Sequence, residues 1–210
     1  MDVPPEPEGA AIADRLRPGL SERDSKVVSA IEAEGLEVFA FDGLRRITGA
    51  HPETLSRILA RLEEDGIVVR SPDGYATTAK TKGLVQPGQA SPIGSVVPIL
   101  HTYLPNGASL EAVVRALKGR WFGRMRWLGA SEDASGAVLK WVADDGSTLI
   151  EARFSPWELE IGAKTKRDSD LPGAILAAHQ LVGRISTLYP AERGPGRPRL
   201  FRAGYFAPAM

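Results

Sequence analysis

The chain of 210 residues contains no cysteine. That absence excludes disulfide-stabilised scaffolds, zinc sites built on thiolates and catalytic cysteine nucleophiles. It fits a reducing compartment, and we expect the protein to be cytoplasmic. No stretch approaches the roughly 18 consecutive apolar residues that a membrane-spanning helix needs, so we expect no membrane association.

The chain also lacks an excess of charge of either sign, because Lys/Arg and Asp/Glu number 26 each. This balance excludes a uniformly basic nucleic-acid coat protein. The distribution is uneven: residues 1–88 hold 11 basic and 15 acidic side chains, whereas residues 191–210 hold 4 and 1. The basic excess therefore lies at the C-terminal end.

Histidine is scarce, and its three occurrences, His51, His101 and His179, have no metal-ligand spacing. A phosphate loop, a nucleophile elbow and a carboxylate pair in an apolar context are all missing. No catalytic residue, metal ligand or cofactor site can be nominated. We therefore expect a protein that is not an enzyme and carries no cofactor.

Proline- and glycine-rich stretches divide the chain into segments. Residues 1–20 are predicted to be a flexible tail, and residues 86–95 a linker. A first domain is predicted over residues 21–85 and a second over residues 96–190, followed by a basic segment at 191–210. The fold class predicted for the whole is α+β.

Three helices are predicted in the first domain. Ser21 can cap the first, which Gly35 ends. Asp42 can cap a short second helix, with Gly49 at the following turn, and Pro52 fits the first turn of the third. The third helix has the clearest amphipathic pattern, with apolar residues at i, i+3, i+4 and i+7: Leu55, Ile58, Leu59 and Leu62.

A hairpin is predicted directly after the third helix, with its turn over residues 71–74. Three helices, a glycine-containing turn and a hairpin are typical of a winged helix. Residues 41–83 resemble the DNA-binding domain of prokaryotic winged-helix transcription regulators of the MarR and Lrp type. The matching residues are Leu44, Thr48-Gly49, Thr54-Leu55-Ser56-Arg57, Leu59, Leu62-Glu63-Glu64-Asp65-Gly66-Ile67-Val68 and Thr78-Ala79-Lys80-Thr81-Lys82-Gly83.

The third helix is the predicted DNA-reading element, since a helix of this size fits the major groove and meets base edges near its N-terminus. Thr54, Ser56 and Arg57 lie on that exposed first half, and Arg57 can pair with a guanine. Phosphate contacts are predicted from the basic residues Arg61, Arg70, Lys80 and Lys82. The alternative is that these charges form a solvated helix face.

The second domain is predicted to be an antiparallel sheet packed by two helices, with one face wet and carrying Arg124, Arg126, Lys140 and Arg153. In outline it is similar to the sensing and dimerising domains of Lrp-type regulators. A helix capped by Ser109 extends its apolar stripe to Trp121. Core packing is predicted for most of the four tryptophans, the alternative being an aromatic ligand pocket.

A long helix is predicted at residues 171–189. Its apolar residues cover much of its circumference, which predicts burial on more than one side. It is the candidate dimer element.

The basic C-terminal segment contains Gly196-Arg197-Pro198, which resembles the core of an AT-hook. The resemblance implies that Arg197, with Arg199 beside it, enters the minor groove of A·T-rich DNA. Pro195 departs from the pattern, which usually has a basic residue before the glycine. Two alternatives are a strand over residues 200–206 and a solvated tail.

The sequence therefore predicts a transcription regulator that binds double-stranded DNA sequence-specifically through its winged helix. A homodimer is expected because one winged helix reads few base pairs, and a small-molecule effector is possible for the second domain. Two alternatives stay open. One is an architectural or DNA-maintenance protein with low sequence preference, and the other is a winged-helix module that docks proteins.

Overall fold

The computed structural model describes residues 20–81, 84, 91, 93–104 and 109–188, and the backbone of residues 204–205. Five α-helices lie in these ranges: α1 (Glu22–Ala33), α2 (Phe41–Thr48), α3 (Pro52–Glu64), α4 (Leu110–Leu117) and α5 (Leu171–Leu188). A 3₁₀ helix at Asp168–Asp170 leads into α5. The strands are β1 (Val38–Phe39), β2 (Val68–Ser71), β3 (Gly74–Thr77), β4 (Val97–Tyr103), β5 (Met125–Asp133), β6 (Gly136–Ala143), β7 (Thr148–Phe154), β8 (Glu158–Thr165) and β9 (Gly204–Tyr205). The predicted α+β class is confirmed.

All of these strands form one antiparallel sheet in the order β2-β3-β1-β5-β6-β7-β8-β4-β9. The short strand β1 joins its two parts, because it pairs with β3 on one side and with β5 on the other. The junction is close at Gly129, where a Cβ atom would overlap the carbonyl oxygen of Val38. The sheet is thus continuous across the boundary predicted at residues 86–95.

Local signals place the first helices correctly. The Ser21 hydroxyl accepts a hydrogen bond from the backbone of Asp24, Gly35 follows the end of α1 with φ +57°, and Gly49 ends α2 with φ +66°. Asp42 is not a cap, and that prediction is wrong. The amide of Ala40 is bonded to the carbonyl of Leu128 in β5, so the chain leaves the sheet at Ala40, which is the N-cap.

The first of two cores lies under α1, α2 and α3. Leu44, Leu55 and Leu59 are fully buried there, and they share the core with Leu128 and Leu149 from the sheet. The helices therefore cover part of the sheet face that was predicted to be wet. That prediction is wrong for Lys140, which is buried, although Arg124 and Arg153 are exposed.

The second core lies on the opposite face of the sheet, beneath α4 and α5, as predicted. Trp127 and Trp141 are buried at its centre, with edge-to-face rings 5.6 Å apart. Trp121 and Trp157 are 55% and 68% exposed, so burial of most tryptophans is a wrong prediction. Because α4 ends at Leu117, Trp121 does not lie on the apolar stripe of that helix.

Helix α5 is buried along one side only, which corrects the prediction of burial on several sides. Its buried residues are mostly small: Ala174, Ala177, Ala178, Leu181 and Ile185. Leu176 is 60% exposed, and Ile175 and Leu188 are also exposed. No helix within the described ranges is long and apolar enough to cross a bilayer.

A cluster of buried charges ties α1 to the sheet. Glu34, at the C-terminal end of α1, is fully buried, and its Oε2 lies 3.2 Å from Lys140 Nζ and 2.8 Å from Lys164 Nζ. Lys140 also pairs with Glu151 at 2.9 Å, and Glu151 accepts a hydrogen bond from Arg153 at 3.1 Å. The cluster therefore links the first helix to three neighbouring strands, β6, β7 and β8.

The ion pairs of the cluster offset the unfavourable effect of burial on the charge of Glu151. Burial raises the pKa of this carboxyl, but the charge and hydrogen bond of Lys140, with further contributions from Arg153 and Lys164, outweigh it. The net pKa lies below the ordinary value, so Glu151 is ionised at neutral pH. Buried charges of this kind are tolerated only while each keeps its partner.

Replacing Glu34 with glutamine removes the acidic partner of Lys164 and one partner of Lys140. We expect Glu34→Gln to lower the free energy of unfolding by about 3–5 kcal/mol, the usual cost of breaking a buried ion pair. Urea unfolding at neutral pH measures it. The matched control is Glu22→Gln in the exposed Glu22–Lys26 pair, for which we expect an unchanged midpoint. Equal effects of the two substitutions would contradict the role of the cluster.

Candidate functional site

The strongest candidate site is the exposed face of α3 and the hairpin that follows it. Leu55, Ile58, Leu59 and Leu62 are buried, as predicted, which turns the opposite face of the helix outward. Ser56 is exposed and Thr54 is half-buried. The polar residues predicted to read bases thus lie on the accessible side of the first half of the helix.

Arg57 is the most accessible charged group on that first half, with 73% of its side chain exposed. Its guanidinium lies 2.5 Å from the carboxylate of Glu53, one helical turn earlier. Because both partners are exposed, this ion pair is weak and opens easily. Arg57 can therefore leave Glu53 for a better acceptor.

Arg61 has a different environment, because its guanidinium binds the buried carboxylate of Asp24 on α1. Two hydrogen bonds join them, from Nη2 to Oδ1 at 2.5 Å and from Nε to Oδ2 at 3.3 Å. Burial raises the pKa of Asp24, but the interactions with Arg61 and Ser21 outweigh it and lower the pKa overall. Arg61 remains half exposed, so its free edge faces outward while its position is fixed by α1.

The other basic candidates lie at the far end of α3. Arg70 on β2 is 73% exposed, pairs with Glu63 at 3.3 Å and lies over the ring of Tyr75. Lys80 donates a hydrogen bond to the carbonyl of Asp65, at the C-terminal end of α3. A helix of this length spans roughly 20 Å, so these two residues are well separated from the first turn.

Acidic groups balance the basic ones over this surface. Between residues 52 and 81 there are four basic side chains and five acidic ones, the acids being Glu53, Glu63, Glu64, Asp65 and Asp73. Phosphate binding relies on uncompensated positive charge. The surface is consequently electrically neutral to slightly acidic.

The turn between α2 and α3 leaves the start of α3 open. His51 occupies the N-cap position without making a side-chain cap, and Pro52 is the first helical residue. The first helical hydrogen bond runs from the Leu55 amide to the His51 carbonyl. The preceding backbone N–H groups of α3 can therefore donate to an anionic or carbonyl acceptor.

Three predicted site residues, Lys82, Arg197 and Arg199, lie outside the described residues. Close to the latter two along the chain, Gly204–Tyr205 forms β9 and pairs antiparallel with β4. These two residues fall within the strand at 200–206 that was considered as an alternative for the C-terminal segment.

Two open depressions on the described part of the chain are candidate small-molecule sites. One open depression lies beside the end of α1, lined by Gly35, Thr77 and Ser131 among others. Another lies on β4, β7 and β8, next to Arg153 and Glu160. The described residues hold no cluster of three or more potential metal ligands.

A further polar surface lies where α2 meets the turn after β6. The sequence predicted Arg126 on the wet face of the sheet, where it could bind nucleic acid or an acidic partner, but not its contacts with Asp144 and Trp121. Asp144 Oδ1 is 2.8 Å from Arg126 Nε and 3.8 Å from Arg46 Nη2. The Arg126 guanidinium lies 4.7 Å from the ring centroid of Trp121. The alternation of basic and aromatic residues in the sequence from Lys118 to Arg126 was the available signal for it.

Comparison with protein-family models, with curated proteins and with solved structures finds no match for this chain.

The Asp24–Arg61 pair that positions α3 has a defined pH dependence. Because the pKa of Asp24 is lower in the folded protein, the pair stabilises the fold above the ordinary carboxyl pKa of 3.8. That contribution disappears as the pH falls through the folded-state pKa. We expect Asp24→Asn to be less stable than the wild type at pH 7, with a smaller difference at pH 3.

Urea unfolding of both proteins at the two pH values measures this difference. A gap between wild type and variant that is independent of pH would show that the carboxylate charge of Asp24 does not hold Arg61 in place.

Proposed function

We propose that this protein is a sequence-specific transcription regulator that binds double-stranded DNA through α3. The order of elements supports the proposal: helix, short strand, two helices and a hairpin, with β1 pairing beside β3 at one end of the sheet. In the proposed assignment these elements act as a winged helix, with α3 as the recognition helix and β2–β3 as the wing. A regulator of this kind acts in the cytoplasm, and that location belongs to the proposal.

The observation that carries the proposal is the presentation of α3. Its inner face is fixed by buried leucines and by the Asp24–Arg61 pair, and the side chains of Ser56 and Arg57 are exposed on its outer face. A helix anchored along one side and open along the other can enter a major groove. Arg57 has the reach and the forked donors to pair with a guanine there.

The ion pairs of the basic residues would affect both the affinity for DNA and the discrimination between DNA sequences. Arg57 must exchange Glu53 for a base or phosphate acceptor. Breaking the ion pair therefore makes the free energy of DNA binding less favourable. Affinity for unrelated DNA is consequently low, and discrimination depends on a few well-placed contacts. This favours a regulator over an architectural protein with low sequence preference.

Two further features belong to the proposal. A homodimer would double the contacted sequence, and α5 with its exposed Leu176 is the element proposed for the dimer contact. A small-molecule effector would have to use an open depression of the sheet surface, such as the one next to Arg153.

A second candidate function is docking of another protein on the same face. The balance of four basic and five acidic side chains between residues 52 and 81 favours it, because duplex DNA selects for positive surfaces. The two functions differ in what Glu53 does. It opposes the approach of DNA, whereas it is a neutral or favourable contact for a protein partner with basic residues.

Selection from random duplexes with the full-length chain, followed by fluorescence anisotropy on the selected sequence, tests the proposal. We expect Arg57→Ala to weaken binding by about 1–3 kcal/mol and to relax the preference at one base position. The matched control is Arg115→Ala on α4. Arg115 is also about three-quarters exposed and pairs with an acid one turn earlier, and its removal should leave affinity unchanged.

Glu53→Gln sharpens the test, because it releases Arg57 and removes a charge that repels phosphate. We expect this variant to bind the selected duplex more tightly than the wild type. Failure to select any sequence, or equal affinities of wild type, Arg57→Ala and Arg115→Ala, would contradict DNA reading by α3 and favour protein docking.

A further inference from the structure

The loop between α4 and β5 displays a tryptophan among arginines. Trp121 is 55% exposed, and the next residue, Phe122, is buried against Trp141 in the core beneath the sheet. We call Arg120, Trp121, Arg124 and Arg126 the Trp121 platform.

The loop is a fixed structure and not a loose connection. Phe122 and Met125 exchange two backbone hydrogen bonds, of 2.8 and 3.2 Å. The indole N–H of Trp141 donates to the Arg120 carbonyl at 2.8 Å, which fixes the residue just before Trp121. Gly119 and Gly123 have φ of +70° and +51°, conformations that allow the chain to turn sharply on both sides of the ring.

Helix α5 contacts this loop through two of its side chains. Arg184 donates a hydrogen bond to the Trp121 carbonyl at 3.4 Å. A Cβ atom at Gly123 would overlap the side chain of Gln180, so the loop and α5 are in close contact there. The backbone of the platform is therefore held in place by α5, while its indole remains accessible.

One arginine contacts the indole, and two more lie close to it along the chain. The Arg126 guanidinium lies 4.7 Å from the ring centroid and is oriented by two contacts to Asp144, of 2.8 and 3.0 Å. Arg124 is 74% exposed in a weak pair with Asp145. Arg120 is exposed, and its side chain has no hydrogen bond or ion pair within the described part of the chain.

We propose that the Trp121 platform binds single-stranded nucleic acid, with one unpaired base stacked on Trp121 and adjacent phosphates held by Arg120 and Arg124. An aromatic ring offers its face to any base, and arginines beside it follow the backbone. A duplex keeps its bases stacked on each other, so it cannot use the indole in this way. The proposal does not rest on duplex reading by α3, since the two surfaces share no residue.

Binding of the full-length chain to a fluorescein-labelled oligothymidine of about 12 nucleotides, measured by anisotropy at low salt, tests the proposal. We expect Trp121→Leu to weaken this binding at least about fivefold, the lower limit for losing one stacked base. Trp121→Phe should retain part of the affinity. The matched control is Trp157→Leu, which removes the other exposed tryptophan and should change nothing.

Arg120→Gln provides a second measurement that does not depend on the folding of the Trp121 variants. We expect the slope of log K against log salt to become shallower by about 0.7 for the lost phosphate contact. Arg115→Gln, an exposed arginine on the neighbouring helix, should leave the slope unchanged.

Three outcomes would overturn the proposal. The first is that the wild type does not bind the oligothymidine, and the second is that Trp121→Leu and Trp157→Leu bind it with equal affinity. The third is that Trp121→Leu loses as much affinity for a duplex of the same length as it loses for the oligothymidine. Arg57→Ala should leave oligothymidine binding intact, which separates failure of this platform from failure of the proposed duplex interface.

Discussion

The orientation of α3 depends on a buried electrostatic contact that α3 does not itself make. Glu34 at the end of α1 binds Lys140 and Lys164 in the sheet, and β1 then carries the chain into pairing with β5. Two ion pairs and a backbone junction thus attach the three-helix unit to the sheet. Such a buried network costs desolvation, and separating its partners is unfavourable because it leaves an unpaired buried charge.

The attachment of the three helices to the sheet affects how α3 is presented to nucleic acid in the proposed function. Because the helices are attached through the sheet and the second core lies on its other face, α3 is presented from a large body and not from a tethered domain. Asp144 links the three-helix unit to the Trp121 platform, since it contacts Arg46 of α2 and Arg126 of the platform.

Local features of the fold could be predicted from the sequence, and long-range ones could not. The capping by Ser21, the left-handed Gly49, the proline at the start of α3 and the leucine stripe each depend on interactions within a few residues. The burial of Lys140 depends on Glu34, 106 residues away, so the alternating pattern of β6 alone indicated a solvated side chain. Trp121 was wrongly predicted to lie on the apolar stripe of α4, because the helical spacing was extended past Leu117, where the helix ends. Among the candidate site residues, exposure of Arg57 was predictable, but the pairing of Arg61 with Asp24 was not.

Amide hydrogen exchange of the full-length chain, with and without a selected duplex, tests the central claim most directly. If α3 enters the major groove, amides in the first half of α3, residues 53–58, exchange more slowly in the complex, and those of α4 exchange at the same rate with and without DNA. Unchanged exchange over residues 53–58 at saturating duplex would contradict the account.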